Sequence, residues 1–92
     1  MKTNLGKFMV STIKVPDRNK KPYETALCLD CEKIKVFELY ETEVEAKKGH
    51  EVWVKKAKNI TLDDFENHKD LVDDYLITIF EACKLRSKVV DI

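Results

Sequence analysis

Ninety-two residues, 43% hydrophobic and 37% charged, make one small folded domain and exclude a disordered chain. The formal net charge is zero, which argues against a general-purpose nucleic-acid binder, since phosphate binding needs a basic surplus. The charge is unevenly divided, +4 over residues 1–60 and −4 over residues 61–92, so a basic front and an acidic back favour head-to-tail contacts or a partner of mixed charge. No apolar run approaches the ~20 residues of a membrane span, and the N-terminus lacks the apolar stretch of a signal peptide. With three cysteines that cannot all pair in one chain, the expectation is an intracellular protein with reduced thiols and no membrane contact.

The chain reads as α+β. Residues 1–6, "MKTNLG", look like a frayed start. "KFMVSTIKV" (7–15) is rich in β-branched residues and predicts a first strand. "PDRNKKP" (16–22) is a proline-bracketed loop with a basic tip of Arg18, Lys20 and Lys21. "YETALCL" (23–29) alternates as a second strand, and "DCEK" makes a turn. "IKVFELYE" (34–41) predicts a third strand, with Ile34, Val36 and Tyr40 on one face and Phe37 and Leu39 on the other. The sheet over 7–41 is therefore a three-stranded antiparallel meander.

Thr42 and Glu45 form a capping box that opens a helix over 42–58. Ala46, Gly49, His50, Trp53, Val54 and Ala57 fall on one stripe of it. Thr61 caps a second helix, with Asp63 and Asp64 in its first turn. Its apolar face, Leu62, Phe65, Val72, Leu76, Ile79, Phe80 and Cys83, continues so far that one long C-terminal helix over 61–88 is expected, giving the order β-β-β-α-α in a single domain, 1–92. Apolar positions off that face, with Tyr75 on its flank, suggest a second packing surface. Leu71, Tyr75, Ile77, Leu85 and Val89 are the expected contacts of a homo-oligomer.

The candidate chemistry is sparse. Cys28-x-x-Cys31 has half the ligands of a zinc site, with His50, His68 and Cys83 at no recognised metal spacing, so neither metal nor cofactor is expected. His50 has no acid partner on its own helix face and no nucleophile motif to serve, so a packing role beside Gly49 and Trp53, with a hydrogen bond to the sheet backbone, is the reading preferred over a general base. Glycine inside a helix costs about 1 kcal/mol against alanine, a cost that makes sense where the helix backbone must approach the sheet closely. The macromolecule-binding candidates are a basic patch of Lys14, Arg18, Lys20 and Lys21, and acids of the second helix, Asp63, Asp70 and Asp74, which could imitate a phosphate backbone. Nucleic-acid reading by the sheet would need Tyr23, Phe37 and Tyr40 exposed.

"YETALCL" followed by "ELYETEVEAKKGHEVWV" resembles a group of small bacteriophage and prophage proteins, whose strand reads like E-T-M-V-F and whose helix reads T-x-x-E-A, then G-H-x-x-x-V. Glu24, Thr25, Tyr40, Thr42, Glu45, Ala46, Gly49, His50 and Val54 carry the likeness over residues 23–58, while "ALCL" departs from "MVF". The resemblance implies a phage origin, the cytoplasm of a bacterial host, and no activity transferable to any residue. The expectation is a non-enzymatic, homo-oligomeric binding protein that inhibits or evades a host defence or host process by binding a host or phage protein or a small signal. The alternatives are a virion or assembly component, such as a tail or head-completion subunit, and a sheet-based nucleic-acid-binding protein.

Overall fold

The computed structural model describes residues 1–15, 20–30, 32–71 and 90–92. Within them lie β1 (Lys2–Asn4), β2 (Phe8–Lys14), β3 (Tyr23–Leu29), β4 (Lys33–Tyr40), α1 (Glu43–Ala57), α2 (Leu62–Asn67) and β5 (Val90–Asp91). The sheet is antiparallel in the order β1-β2-β3-β4, and β5 also pairs with β2. The class is α+β and the β2-β3-β4 meander is present. The sheet gains two short strands at its edge that three-strand reasoning leaves out.

Residues 2–4 are not frayed. Lys2 pairs with Ser11 and Asn4 with Met9, while Asp91 pairs with Ile13, so β1 and β5 lie end to end along one edge of β2. The Met1 amino group joins them, donating to the Thr12 carbonyl at 2.9 Å and ion-pairing with Asp91. The β1-β2 turn closes where Asn4 Oδ1 accepts from the Gly6 amide at 2.8 Å, and Gly6 supplies the left-handed backbone, φ +92°, that the turn needs.

β4 departs from simple alternation. Thr25 pairs with Glu38 but Ala26 pairs with Val36, so Phe37 is the extra residue of a β-bulge. Two residues of the bulged strand oppose one of its partner, which swings the strand by one position. Tyr40 is thereby carried from the face of Val36 to the face of Phe37, correcting the alternation expected for this strand. Phe37, Glu38 and Tyr40 all meet α1: Phe37 packs edge-on against Trp53, Glu38 accepts from the Trp53 indole, and Tyr40 abuts Gly49. The strands are buried on both faces, since Ser11, Ile13, Ala26, Cys28 and Val36 on the side away from α1 are also buried.

α1 begins at Thr42, whose hydroxyl accepts from the Glu45 amide at 3.2 Å, and lays Ala46, Gly49, His50 and Ala57 on the sheet. The core beneath is Phe8, Val10, Leu27, Leu29, Phe37 and Phe65, with Trp53, Val54 and Ile60 at its margin. Gly49 is where the helix backbone touches the strand. A Cβ there would fall inside the van der Waals envelope of Tyr40 Oη, Cε1 and Cζ.

α2 opens with a full capping box between Thr61 and Asp64 but does not run on to residue 88. It ends at Asn67, and His68 is already extended, at ψ 133°. Lys35 is the physical reason. Its ammonium donates to the carbonyls of Phe65, Glu66 and His68 at 2.8, 2.8 and 2.9 Å, spending its three protons on the helix end. The Phe65 and Glu66 carbonyls would otherwise serve the amides of Lys69 and Asp70 in a continuing helix. The chain instead turns along β4, where Asp70 Oδ1 accepts from the Val36 amide and the Leu71 amide donates to the Val36 carbonyl.

Gly49→Ala will lower the denaturant midpoint, even though alanine favours a helix by about 1 kcal/mol. The Tyr40 ring is buried and hydrogen-bonded and cannot yield, so the net loss is about 1–3 kcal/mol of overpacking. Adding Tyr40→Leu should recover part of that loss in a double-mutant cycle, and strict additivity would show that the two residues are not in conflict.

Candidate functional site

Beneath α1 a chain of polar side chains crosses the sheet from edge to edge. Thr3 Oγ1 on β1 lies 2.9 Å from His50 Nε2, and His50 Nδ1 lies 2.7 Å from Thr12 Oγ1 on β2. Thr12 Oγ1 is 2.6 Å from Thr25 Oγ1 on β3, and Thr25 Oγ1 is 3.0 Å from the Tyr40 hydroxyl on β4. Tyr40 reaches Glu38 Oε1 at 3.2 Å, where the Trp53 indole also donates at 2.7 Å. The register sets each step: Thr12 and Thr25 are direct cross-strand partners, and the bulge brings Glu38 opposite Thr25. The middle is dry, with Thr12 and Thr25 at 0% exposure and His50 at 1%, whereas Glu38 is exposed and Thr3 and Trp53 are half-buried.

The same burial sets the electrostatics. Desolvation pushes the Tyr40 phenol up to about 12, the Thr25 contact pulling against it and the charge and hydrogen bond of Glu38 adding to it. Burial lowers His50 below the ordinary histidine range, helped by the N-terminal ammonium and opposed by Glu51 and Asp91. With both ring nitrogens engaged and almost no exposed surface, His50 has no free nitrogen to present to an external substrate. It binds threonine hydroxyls rather than the strand backbone to which the sequence assigns it.

An aromatic cluster adjoins the Glu38 end. Phe37 stacks on His68 with centroids 3.6 Å apart and planes 3° apart, and packs against Trp53 and Phe65 at 5.1 and 6.1 Å. Lys56 sits 4.7 Å over the Trp53 ring. His68 is also lowered, chiefly by burial and then by Lys35, and its Nε2 is buried without a hydrogen-bond partner among the described residues.

At the other end of the helix, a cleft of about 390 Å³ opens between the β1-β2 turn and the end of α1. Leu5, Phe8, Ala57 and Ile60 line it, with Lys7 and Lys58 at its rim. Both lysines are exposed, and among the described residues neither is ion-paired to an acid. An apolar floor under two ammonium groups suits an anionic group attached to an apolar one.

The residues singled out from the sequence do not converge on one site. Lys20 and Lys21 are exposed near Lys14, which lies 5.7 Å over the Tyr23 ring, while Arg18 lies outside the described residues. Asp63 is exposed, but Asp70 caps the Val36 amide and so serves the fold, and Asp74 lies outside the described residues. Of the expected oligomer contacts, Leu71 is 49% exposed and held to β4 by its backbone, and Tyr75, Ile77, Leu85 and Val89 lie outside the described residues. Cys28 is buried, while Cys31 and Cys83 lie outside them. Among the described residues, no three His, Cys, Asp or Glu side chains gather as a metal would require, and no helix is long and apolar enough to cross a membrane. Sequence reasoning missed Thr3, Thr12, Glu38, Lys7 and Lys58. Only the spacing of threonines on adjacent strands, Thr12 and Thr25, hints at the polar chain.

No family model, curated protein or solved structure gives a significant match to the chain.

Two titrations follow from these environments. His50 and His68 bind protons less readily folded than unfolded, so their contribution to stability is complete above about pH 6.5 and declines as the pH falls below it. Urea midpoints measured from pH 7.5 to 5 should fall accordingly, and less so in His50→Gln. An unchanged slope in that variant would remove His50 as a source. Tyr40 behaves oppositely: its folded pKa is raised, so stability declines as the pH rises above the unfolded value near 10. Phenolate absorbance should show one tyrosine ionising near pH 12, and that step should be absent from Tyr40→Phe.

Proposed function

We propose that this is a non-enzymatic binding protein of bacteriophage origin that acts by occupying a protein of the bacterial host, inhibiting or evading a host process. The observation that carries the binding reading is the fate of His50, the residue best placed by sequence for general-base work. It is 1% exposed and holds a threonine hydroxyl on each ring nitrogen, so its chemistry is spent on seating α1. The phage assignment rests on the likeness carried by Tyr40, Thr42, Gly49 and His50. The cleft rimmed by Lys7 and Lys58 is the surface assigned to the partner, an acidic segment with an apolar anchor, because exposed lysines over an apolar floor favour that combination. A sheet that reads bases is disfavoured, since Phe37 and Tyr40 are 7% and 5% exposed and cannot stack a nucleotide.

The test is affinity capture from bacterial extract with three proteins: wild type, Lys7→Glu/Lys58→Glu and His50→Gln. A partner retained by wild type and His50→Gln but lost at least tenfold by the charge reversal supports the reading. Full retention of that partner by the folded charge-reversal protein would falsify it, because the cleft would then not be the surface that holds it.

A further inference from the structure

The polar chain under α1 has a direction, and its origin is at the surface. A carboxylate only accepts hydrogen bonds, so in its contacts with Trp53 Nε1 and the Tyr40 hydroxyl Glu38 is the acceptor. Tyr40 has one proton. Its hydroxyl lies 3.0 Å from Thr25 Oγ1 and 3.2 Å from Glu38 Oε1, and the ionised carboxylate is the stronger acceptor, so the proton is assigned to Glu38 and the Thr25 hydroxyl donates to Tyr40. Thr25 has then no proton left for Thr12, so Thr12 donates to Thr25. Thr12 in turn can only accept from His50, which places the imidazole proton on Nδ1 and leaves Nε2 bare to accept from Thr3. Each step excludes the alternative at the next, and every hydroxyl from β1 to β4 is ordered by one charge.

We propose that Glu38 is the control end of a hydrogen-bond switch: its carboxylate fixes the neutral tautomer of His50, four hydrogen bonds away, and through it which partner donates in the bond that holds the edge strand β1 at Thr3. If Tyr40 no longer faces an obligate acceptor, the opposite order satisfies the same contacts. Tyr40 then donates to Thr25, Thr25 to Thr12, Thr12 to Nδ1, and Nε2–H donates to Thr3. The reversal breaks no O–H bond, because the four hydroxyls turn by rotation. Only the imidazole exchanges a proton, lost from Nδ1 to water and gained at Nε2 from water. A partner group that draws the exposed Glu38 carboxylate away from Tyr40 therefore acts at the far edge of the sheet, beside the Met1–Asp91 pair that joins β1 to β5.

Nitrogen-15 NMR of the histidine rings at pH 7.5 tests this, with His68→Gln used to assign the two rings. A protonated ring nitrogen and a bare one resonate far apart. Wild type should show a protonated Nδ1 and a bare Nε2 at His50. Glu38→Gln, whose amide can donate as well as accept, should draw the two shifts toward each other. Trp53→Phe keeps the carboxylate and should leave the wild-type shifts in place. In a Tyr40→Phe background, Glu38→Gln should have no further effect, because the chain is already cut. Backbone amide spectra establish that each variant is folded, and the wild-type measurement stands even where a variant is not. A protonated Nε2 in wild type, unchanged shifts in folded Glu38→Gln, or a Glu38→Gln effect that persists without the Tyr40 hydroxyl would each overturn the proposal.

Discussion

The contact between Gly49 and Tyr40 sets the height of α1 above the sheet, and the rest of the structure depends on that height. With no Cβ at position 49 the helix backbone descends onto the Tyr40 ring. Only at that separation does the next residue, His50, reach down between β1 and β2 to hydrogen-bond Thr3 and Thr12. The helix gives up intrinsic propensity at one position and gains a buried polar clasp spanning four strands. Such a network stabilises only when complete, because an unpaired polar group in a dry interior costs more than a paired one contributes. Here each hydroxyl and both imidazole nitrogens have partners, so the clasp specifies one seating of the helix and penalises others.

The bulge at Phe37 is the second requirement, and it serves the first. A regular β4 would send Tyr40 to the opposite face, away from Gly49, and the polar chain would end at Thr25. One extra residue turns Phe37, Glu38 and Tyr40 together toward α1. It supplies the ring that Gly49 accommodates, the carboxylate that orders the chain, and the aromatic surface on which Trp53 and His68 rest.

This division explains what was legible in the sequence. The α1 stripe, both helix caps and the three long strands follow from periodicity and capping chemistry, which are local. Gly49 was readable as a close approach because a glycine in a helix has few other uses, although the residue it accommodates was not, since the bulge leaves no mark in "IKVFELY". β1 and β5, at three and two residues, are too short to alternate visibly, and they exist because β2 offers them an edge. The end of α2 was misread for a similar reason. Its apolar positions continue past Asn67, and what stops the helix is a lysine thirty residues earlier whose ammonium takes the terminal carbonyls. The polar chain draws its residues from five elements, one or two from each, and no spacing within one element announces it.

A small domain with few large apolar residues would gain more stability by filling the space under α1 with valine and leucine than with threonine and histidine. The polar alternative gives something apolar packing cannot: an ordered state with a defined opposite. Apolar contacts have no direction, so a perturbation at one end of such a core fades within a few neighbours. A hydrogen-bond chain in which each donor is forced by the one before carries orientation across its whole length. Its exposed terminus is a carboxylate shared by a tyrosine and a half-buried tryptophan, and its other terminus holds a short edge strand of the sheet. On the binding reading proposed here, a polar interior of this form ties the state of the outer surface at Glu38 to the edge where β1 and β5 meet.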